Sequence, residues 1–197
     1  MGDTPSFDSR HDLFIGGERQ PASSGETLPV ENPATEEELT QIAAGGEADI
    51  ERAVKRARDG LEVWSSTDPQ ERGRVLNRVA TAIRDEADRL EQIETLENGM
   101  PLSIAEFDIE VCARYFEYYA GIADKLHGDS IPLTEDYADY TVREPLGITA
   151  QITPWNFPTG IFGRSVAPAL VTGNVSITKP AELTPLGTLE IAEIAHE

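Results

Sequence analysis

Lysine is scarce in this chain. Lys55, Lys125 and Lys179 are the only three, so most of the 16 basic side chains are arginine. Against them stand 36 acids, for a formal net charge of −20. A charge of that sign argues against nucleic acid or an anionic membrane as partner. Asp and Glu punctuate every helical stretch instead of gathering in a tail. The excess therefore reads either as a well-solvated surface or as adaptation to high salt, where screening makes self-repulsion tolerable. Lysine depletion alongside the acids favours the salt reading.

Other absences narrow the field further. Cys112 is the single cysteine, which permits no intramolecular disulfide and no cysteine metal cluster. His11, His127 and His196 lie far apart without ligand spacing, so no metal site is expected. Met1–Ser9 is polar and acidic, and no later run reaches the apolar length of a signal peptide or membrane span. The expectation is a soluble, cytoplasmic protein. Internal repeats and low-complexity segments are missing. So are a Gly-x-Gly-x-x-Gly fingerprint and a Tyr-x-x-x-Lys pair, which argues against an ordinary dinucleotide motif and against a cysteine-independent reductase.

What is present centres on Glu144 to Pro185. Two short β-branched runs, Gly147–Thr153 and Asn174–Thr178, each end in a polar cluster followed by helix-starting residues. The first cluster is Pro154-Trp155-Asn156-Phe157-Pro158 and the second is Lys179-Pro180-Ala181-Glu182. Between them Ile161, Val166, Ala169, Leu170 and Val171 form a helical apolar face closed by Gly173-Asn174. Strand, crossover helix and strand make a right-handed parallel βαβ unit. In such sheets the ligand sits outside the carboxyl ends of the strands, where both clusters fall.

The rest of the chain reads as short strands followed by helices. Leu13–Glu18 is a strand entering a turn, Thr27–Val30 a second extended piece and Leu39–Ala43 a third, with a turn at Asn32-Pro33-Ala34-Thr35. Glu47–Ser65 is an amphipathic helix with Ile50, Ala53, Val54, Ala57, Leu61 and Trp64 on one face. Asp68 as N-cap, Pro69 as first helical residue and Glu71 as reciprocal capping partner start the next. Its stripe runs from Val75 to Leu96 with a break near Arg84-Asp85, and stops at Asn98-Gly99. A third helix runs from Pro101 to about His127. In its middle lies Cys112, among apolar residues and near Glu106, Asp108 and Glu110, so Cys112 reads as a packing residue with a raised pKa and not as a reactive thiolate. Ile131–Leu133 and Tyr137–Arg143 flank a turn as a β-hairpin, rather apolar for a solvated one. Thr184 as N-cap and Pro185 as first residue begin a last helix, whose pattern stops incomplete at Glu197.

The segments Ile152–Pro158 and Lys179–Pro185, at this separation, resemble the aldehyde dehydrogenase superfamily. The resemblance runs from about Leu13 to the last residue, and covers the N-terminal part of the family's length. It implies an α/β fold: the N-terminal part of a Rossmann-type cofactor domain with an incomplete sheet. Residues 1–129 would be strands and helices of that domain, 130–145 an oligomerisation hairpin, and 146–197 the first βαβ part of the cofactor sheet.

The same resemblance assigns roles. Family members oxidise an aldehyde by thiolate attack, hydride transfer to a nicotinamide and thioester hydrolysis. Asn156 would be the side-chain donor to the oxyanion, a task an amide performs without carrying charge. Taken by itself, Asn156 reads more readily as a turn or N-cap residue. Lys179 and Glu182 would hold the adenosine ribose, and Ile152, Thr153, Pro154, Trp155 and Ala181 would line the same pocket. A carboxylate at Glu182 accepts from ribose hydroxyls and repels a 2′-phosphate, which favours NAD and leaves NADP open. The nucleophilic cysteine and the water-activating carboxylate have no counterpart in these residues. The chain alone is therefore expected to be inactive. It is either the N-terminal segment of a complete or split enzyme, or a non-catalytic remnant that associates through the hairpin. Partners would be an aldehyde and either further copies or a cysteine-bearing C-terminal chain.

Overall fold

The N-terminal strands owe their pairing to two turns. The computed structural model describes Pro5 and residues 7–196. Most of the reading of Met1–Ser9, and Glu197, lie outside that range. Strand β1 is Arg10–His11, β2 Leu13–Ile15, β3 Glu18–Gln20, β4 Thr27–Asn32 and β5 Glu37–Ala43. Between β2 and β3, Gly16 and Gly17 both have positive φ, 63° and 84°, the two-residue geometry that matches the twist of an antiparallel hairpin. Asn32 Oδ1 accepts the Ala34 N–H at 2.9 Å and folds the chain back between β4 and β5, as the Asn-Pro turn signal predicts. Pro29 is tolerated because β4 lies at the edge of the sheet, whose order is β1-β5-β4. β1 was not anticipated; it pairs parallel to β5, with His11 opposite Ile42.

Four helices follow: α1 Glu47–Ser66, α2 Pro69–Asp85, α3 Ala87–Asn98 and α4 Leu102–Ala120. Asp49 accepts the Gly46 N–H at 2.9 Å and so caps α1 from its third position. Asp68 caps α2 through the Gln70 N–H at 2.8 Å, whereas Glu71 pairs outward with Arg74 at 2.9 Å and closes no capping box. The expected break falls at Glu86. α3 ends at Gly99, whose φ of 78° is the left-handed cap conformation. α4 stops well before His127. Bonds from the Ile122, Ala123 and Lys125 N–H groups reach back three residues, to Tyr119, Ala120 and Ile122, and this tighter winding ends the α-helix.

The remaining elements are β6 Ser130–Ile131, β7 Asp139–Tyr140, β8 Ile148–Ile152, α5 Pro158–Val171, β9 Val175–Lys179 and α6 Leu186–Ile194. The hairpin is shorter than expected. Only Ser130–Tyr140 and Ile131–Asp139 pair, and Leu133, Tyr137, Tyr140 and Val142 stand exposed with no sheet against them. β8 and β9 are parallel, in register from Ile148–Val175 to Ile152–Lys179, and α1 and α5 both pack on them. Trp64 of α1 also donates to the Leu170 carbonyl at the end of α5, at 2.8 Å. The main core joins Leu76 and Ile83 of α2, Leu90 of α3, Ile109 and Phe116 of α4, Phe162 and Val166 of α5 and Ile191 of α6. Arg19 reaches Glu193 at 2.7 Å and Arg89 pairs with Glu190, which ties α6 to the β2–β3 hairpin and to α3. No helix of the described residues is long and apolar enough to cross a membrane.

Candidate functional site

Both polar clusters emerge at one sheet edge. β8 and β9 end side by side at Ile152 and Lys179, and the Thr153 N–H closes the ladder on the Lys179 carbonyl at 3.1 Å. Pro154 has no N–H to continue it. The chain then crosses the sheet end through Trp155 and Asn156, and Pro158 starts α5 at the first helical position, where its missing N–H costs nothing. No side chain caps α5, so Asn156 is not its N-cap. It lies exposed on the approach to the helix.

The edge pairs apolar surface with a few polar groups. Ile152 is 80% and Trp155 58% exposed, unusual for side chains of that kind at a strand end. Pro154 is also exposed, whereas Thr153 and Ala181 are buried. The Thr153 hydroxyl has no hydrogen-bond partner. Across from them Lys179 Nζ stands 3.1 Å from Glu182 Oε2. The Glu182 backbone N–H and Lys179 together hold that carboxyl below the usual range. The structure thus brings all eight predicted site residues to the ends of two adjacent strands.

Beneath this edge lies an acidic network that the sequence reading missed. Glu94 and Glu97 of α3 and Asp108 of α4 are fully buried. Thr159 Oγ1 lies 2.9 Å from Glu94 Oε2 and 2.9 Å from Asp108 Oδ2, and Asp108 also accepts the Gly160 N–H at 2.9 Å. One hydroxyl can donate to only one of two carboxyls, so the other must carry a proton. Burial, reinforced by Asp108, pushes Glu94 up to about 10, which makes Glu94 the protonated partner at neutral pH. Glu97 accepts the Leu186 and Gly187 N–H groups at 2.7 and 2.8 Å. Burial raises it to about 8 against the pull of those two donors. Thr184 does not cap α6, as had been expected; its hydroxyl has no partner and Glu97 does the capping from a distant helix. Asn98 Nδ2 completes the set by donating to the Trp155 carbonyl at 2.5 Å. A signal was present: Leu90, Ile93, Glu94 and Glu97 continue one stripe at helical spacing, which places two acids where apolar residues belong.

Cys112 sits in the core with no exposed surface. Burial first, then Asp108 and Glu94, push its thiol up, so it is no nucleophile. Its backbone lies against Gly163 so closely that an added Cβ there would stand 2.9 Å from Cys112 Sγ.

A parallel strand pair with a crossover helix and paired polar clusters at the carboxyl ends is the place where open α/β sheets receive ligands. A family model described as "Aldehyde dehydrogenase family" matches residues 20–197, and the chain belongs to that family. It is 43% identical over 189 residues to the mitochondrial aldehyde dehydrogenase of Equus caballus, an alignment covering 94% of this chain and 38% of that protein. The solved structure of PnpE in complex with nicotinamide adenine dinucleotide superposes with a TM-score of 0.92 at 37% identity, over 94% of this chain and 38% of that one. That of 3,6-anhydro-L-galactose dehydrogenase in complex with NAP gives 0.91 at 33% identity, over 95% and 39%. The chain spans less than two-fifths of the length of the proteins it matches.

Proposed function

We propose that these residues form one wall of the cofactor site and supply the oxyanion donor of an aldehyde dehydrogenase that oxidises an aldehyde to the carboxylic acid. The observation that carries this reading is the adjacency of Ile152–Pro158 and Lys179–Glu182 at the ends of β8 and β9. Their chemistry fits NAD. Exposed Ile152 and Trp155 offer apolar faces to an adenine ring, and the Glu182 carboxylate, held low by Lys179, accepts from ribose hydroxyls. When bound, NAD supplies the hydride acceptor.

The roles of the protein's own groups follow from this placement. Asn156 carries a neutral amide at the exposed strand end, suited to donate to the oxygen on which charge develops as a thiolate adds to the aldehyde carbon. Lys179 keeps Glu182 ionised and oriented. The thiolate itself must come from outside these residues, because Cys112 is buried and its thiol is held neutral. The exposed hairpin at 130–145, with Tyr137 and Tyr140 unpartnered, supports assembly with further copies or with a cysteine-bearing chain. A high-salt setting is proposed from the charge balance.

The test is complementation. The purified chain should form no NADH from aldehyde and NAD, and activity should appear when a cysteine-bearing C-terminal segment of an aldehyde dehydrogenase is added or fused. Activity of the chain alone that is lost in Cys112→Ala would overturn the assignment of Cys112. A second reading, a non-catalytic associating protein, is favoured by the same buried cysteine and would be supported if no such segment restores activity while association persists.

A further inference from the structure

One turn of α3 touches both halves of the cofactor edge. Glu97 receives the Leu186 and Gly187 N–H groups, the first two of α6, directly downstream of the Lys179–Glu182 cluster. Asn98, the next residue, donates to the Trp155 carbonyl, immediately before Asn156. Glu94, one turn back on the same face, acts through Thr159 together with Asp108, which also holds the Gly160 N–H in the first turn of α5. These contacts join residues 51 to 90 positions apart, and they give one first-turn N–H of α5 and two of α6 a carboxyl partner from α4 and α3. Such bonds stabilise a helix start through its dipole as well as through the N–H groups themselves.

Rigidity at this place has a purpose that stability alone does not supply. The strand ladder fixes Ile152 against Lys179 but fixes nothing beyond. Past it, Asn156 and Glu182 ride on short exposed connections; the Trp155 carbonyl is tied to Asn98 of α3, and the Leu186 and Gly187 N–H groups just after Glu182 are tied to Glu97. Groups that must meet opposite ends of one ligand need their separation set by something stiffer than a loop. The residues that meet this need are polar side chains on one well-packed helix, Glu94 and Glu97 buried and Asn98 half-buried, which Leu90 and Ile93 anchor in the core.

We infer that α3 is the positioning element of the cofactor edge: Glu97 sets the stance of the Lys179–Glu182 turn and Asn98, with Glu94 and Asp108, sets that of Trp155-Asn156, so that one helical turn fixes the span between the two. These are positioning residues, and the inference rests on the proposed reading of that edge as an NAD site. It predicts coupling. A change at residue 97 must be felt at 179–182, beyond the two amides it touches, and a change at residue 98 must be felt at 155–157 without disturbing 179–182.

The experiment compares backbone amide NMR spectra of the 15N-labelled full chain with Glu97→Gln, Asn98→Ala and, as a control on the exposed side of α3, Asp88→Asn. Each protein is also titrated with NAD by quenching of tryptophan fluorescence. Glu97→Gln should shift the amides of Lys179, Ala181 and Glu182 in addition to those of Leu186 and Gly187, and should weaken NAD binding about tenfold, the loss of one backbone bond, because the amide nitrogen that replaces one carboxyl oxygen cannot accept. Asn98→Ala should shift Trp155, Asn156 and Phe157 and spare 179–182. Asp88→Asn should do neither. Shifts confined to α3 and to Leu186–Gly187 would overturn the inference, whatever NAD does. Failure of the unmutated chain to bind NAD would instead remove the cofactor reading, while the amide pattern would still decide the positioning. If Glu97→Gln loses its native dispersion, Glu97→Asp, which keeps both carboxyl oxygens one methylene short, and Asn98→Ala carry the same comparison.

Discussion

Glu94 and Asp108 meet over a single hydroxyl: Thr159 Oγ1 stands 2.9 Å from each carboxyl. A proton held there, and another favoured at Glu97, make the fold sensitive to alkali. Both groups titrate near 4.5 when free, but are raised to about 10 and about 8 in the folded chain. The native state therefore binds protons that the unfolded chain has released. Stability falls as pH rises from about 5 toward 8, with a further decline as Glu94 is approached. On the acid side Asp49 acts oppositely. Its bonds from Gly46 and Ser23 lower it to about 2, so its contribution is present above its ordinary value and lost as pH falls through about 2. The urea midpoint at fixed high salt should drop between pH 6 and 9, and Glu97→Gln should flatten that drop. A midpoint that climbs over this range would contradict the buried-proton account.

The proposed oxyanion role of Asn156 rests on its exposed strand-end position and on the absence of a capping role at α5. In the assembled enzyme Asn156→Ala should lower kcat about a hundred- to a thousandfold while NAD affinity stays near that of the parent. Steady-state kinetics with near-normal turnover would remove it from that role.

Glu182, tied to Lys179, is the proposed determinant of cofactor choice. NAD should be preferred to NADP, because a 2′-phosphate would face a carboxylate. Glu182→Ser should narrow the gap mainly by weakening NAD. Equal use of both cofactors by the unmutated protein would refute the assignment.

The acid excess predicts a response to salt. With 36 acids against 16 bases, self-repulsion destabilises the compact state and molar salt screens it. The thermal midpoint should rise between low and molar potassium chloride. A flat or falling midpoint would leave only a well-solvated surface.

How much of this was legible in the residues depends on how far apart the interacting groups lie. Helical period and caps act within four residues, so the starts of α1 and α2, the break at Glu86, the stop at Gly99, the crossover unit and the core setting of Cys112 all followed from the sequence alone. So did the two strand-end clusters, since a parallel strand pair must deliver both to one edge. Tertiary structure decided the rest. β1 is a two-residue strand that exists only because β5 lies beside it. α4 ends early, at Gly121, through tight local bonds that follow it, and the hairpin pairs over two residues because no sheet supports it. The capping of α6 passed from Thr184 to Glu97, 89 residues away, and the protonation of Glu94 depends on an acid and a hydroxyl brought from other helices. A carboxylate's partners and its desolvation are properties of where the chain returns to in space, and sequence spacing carries no record of that.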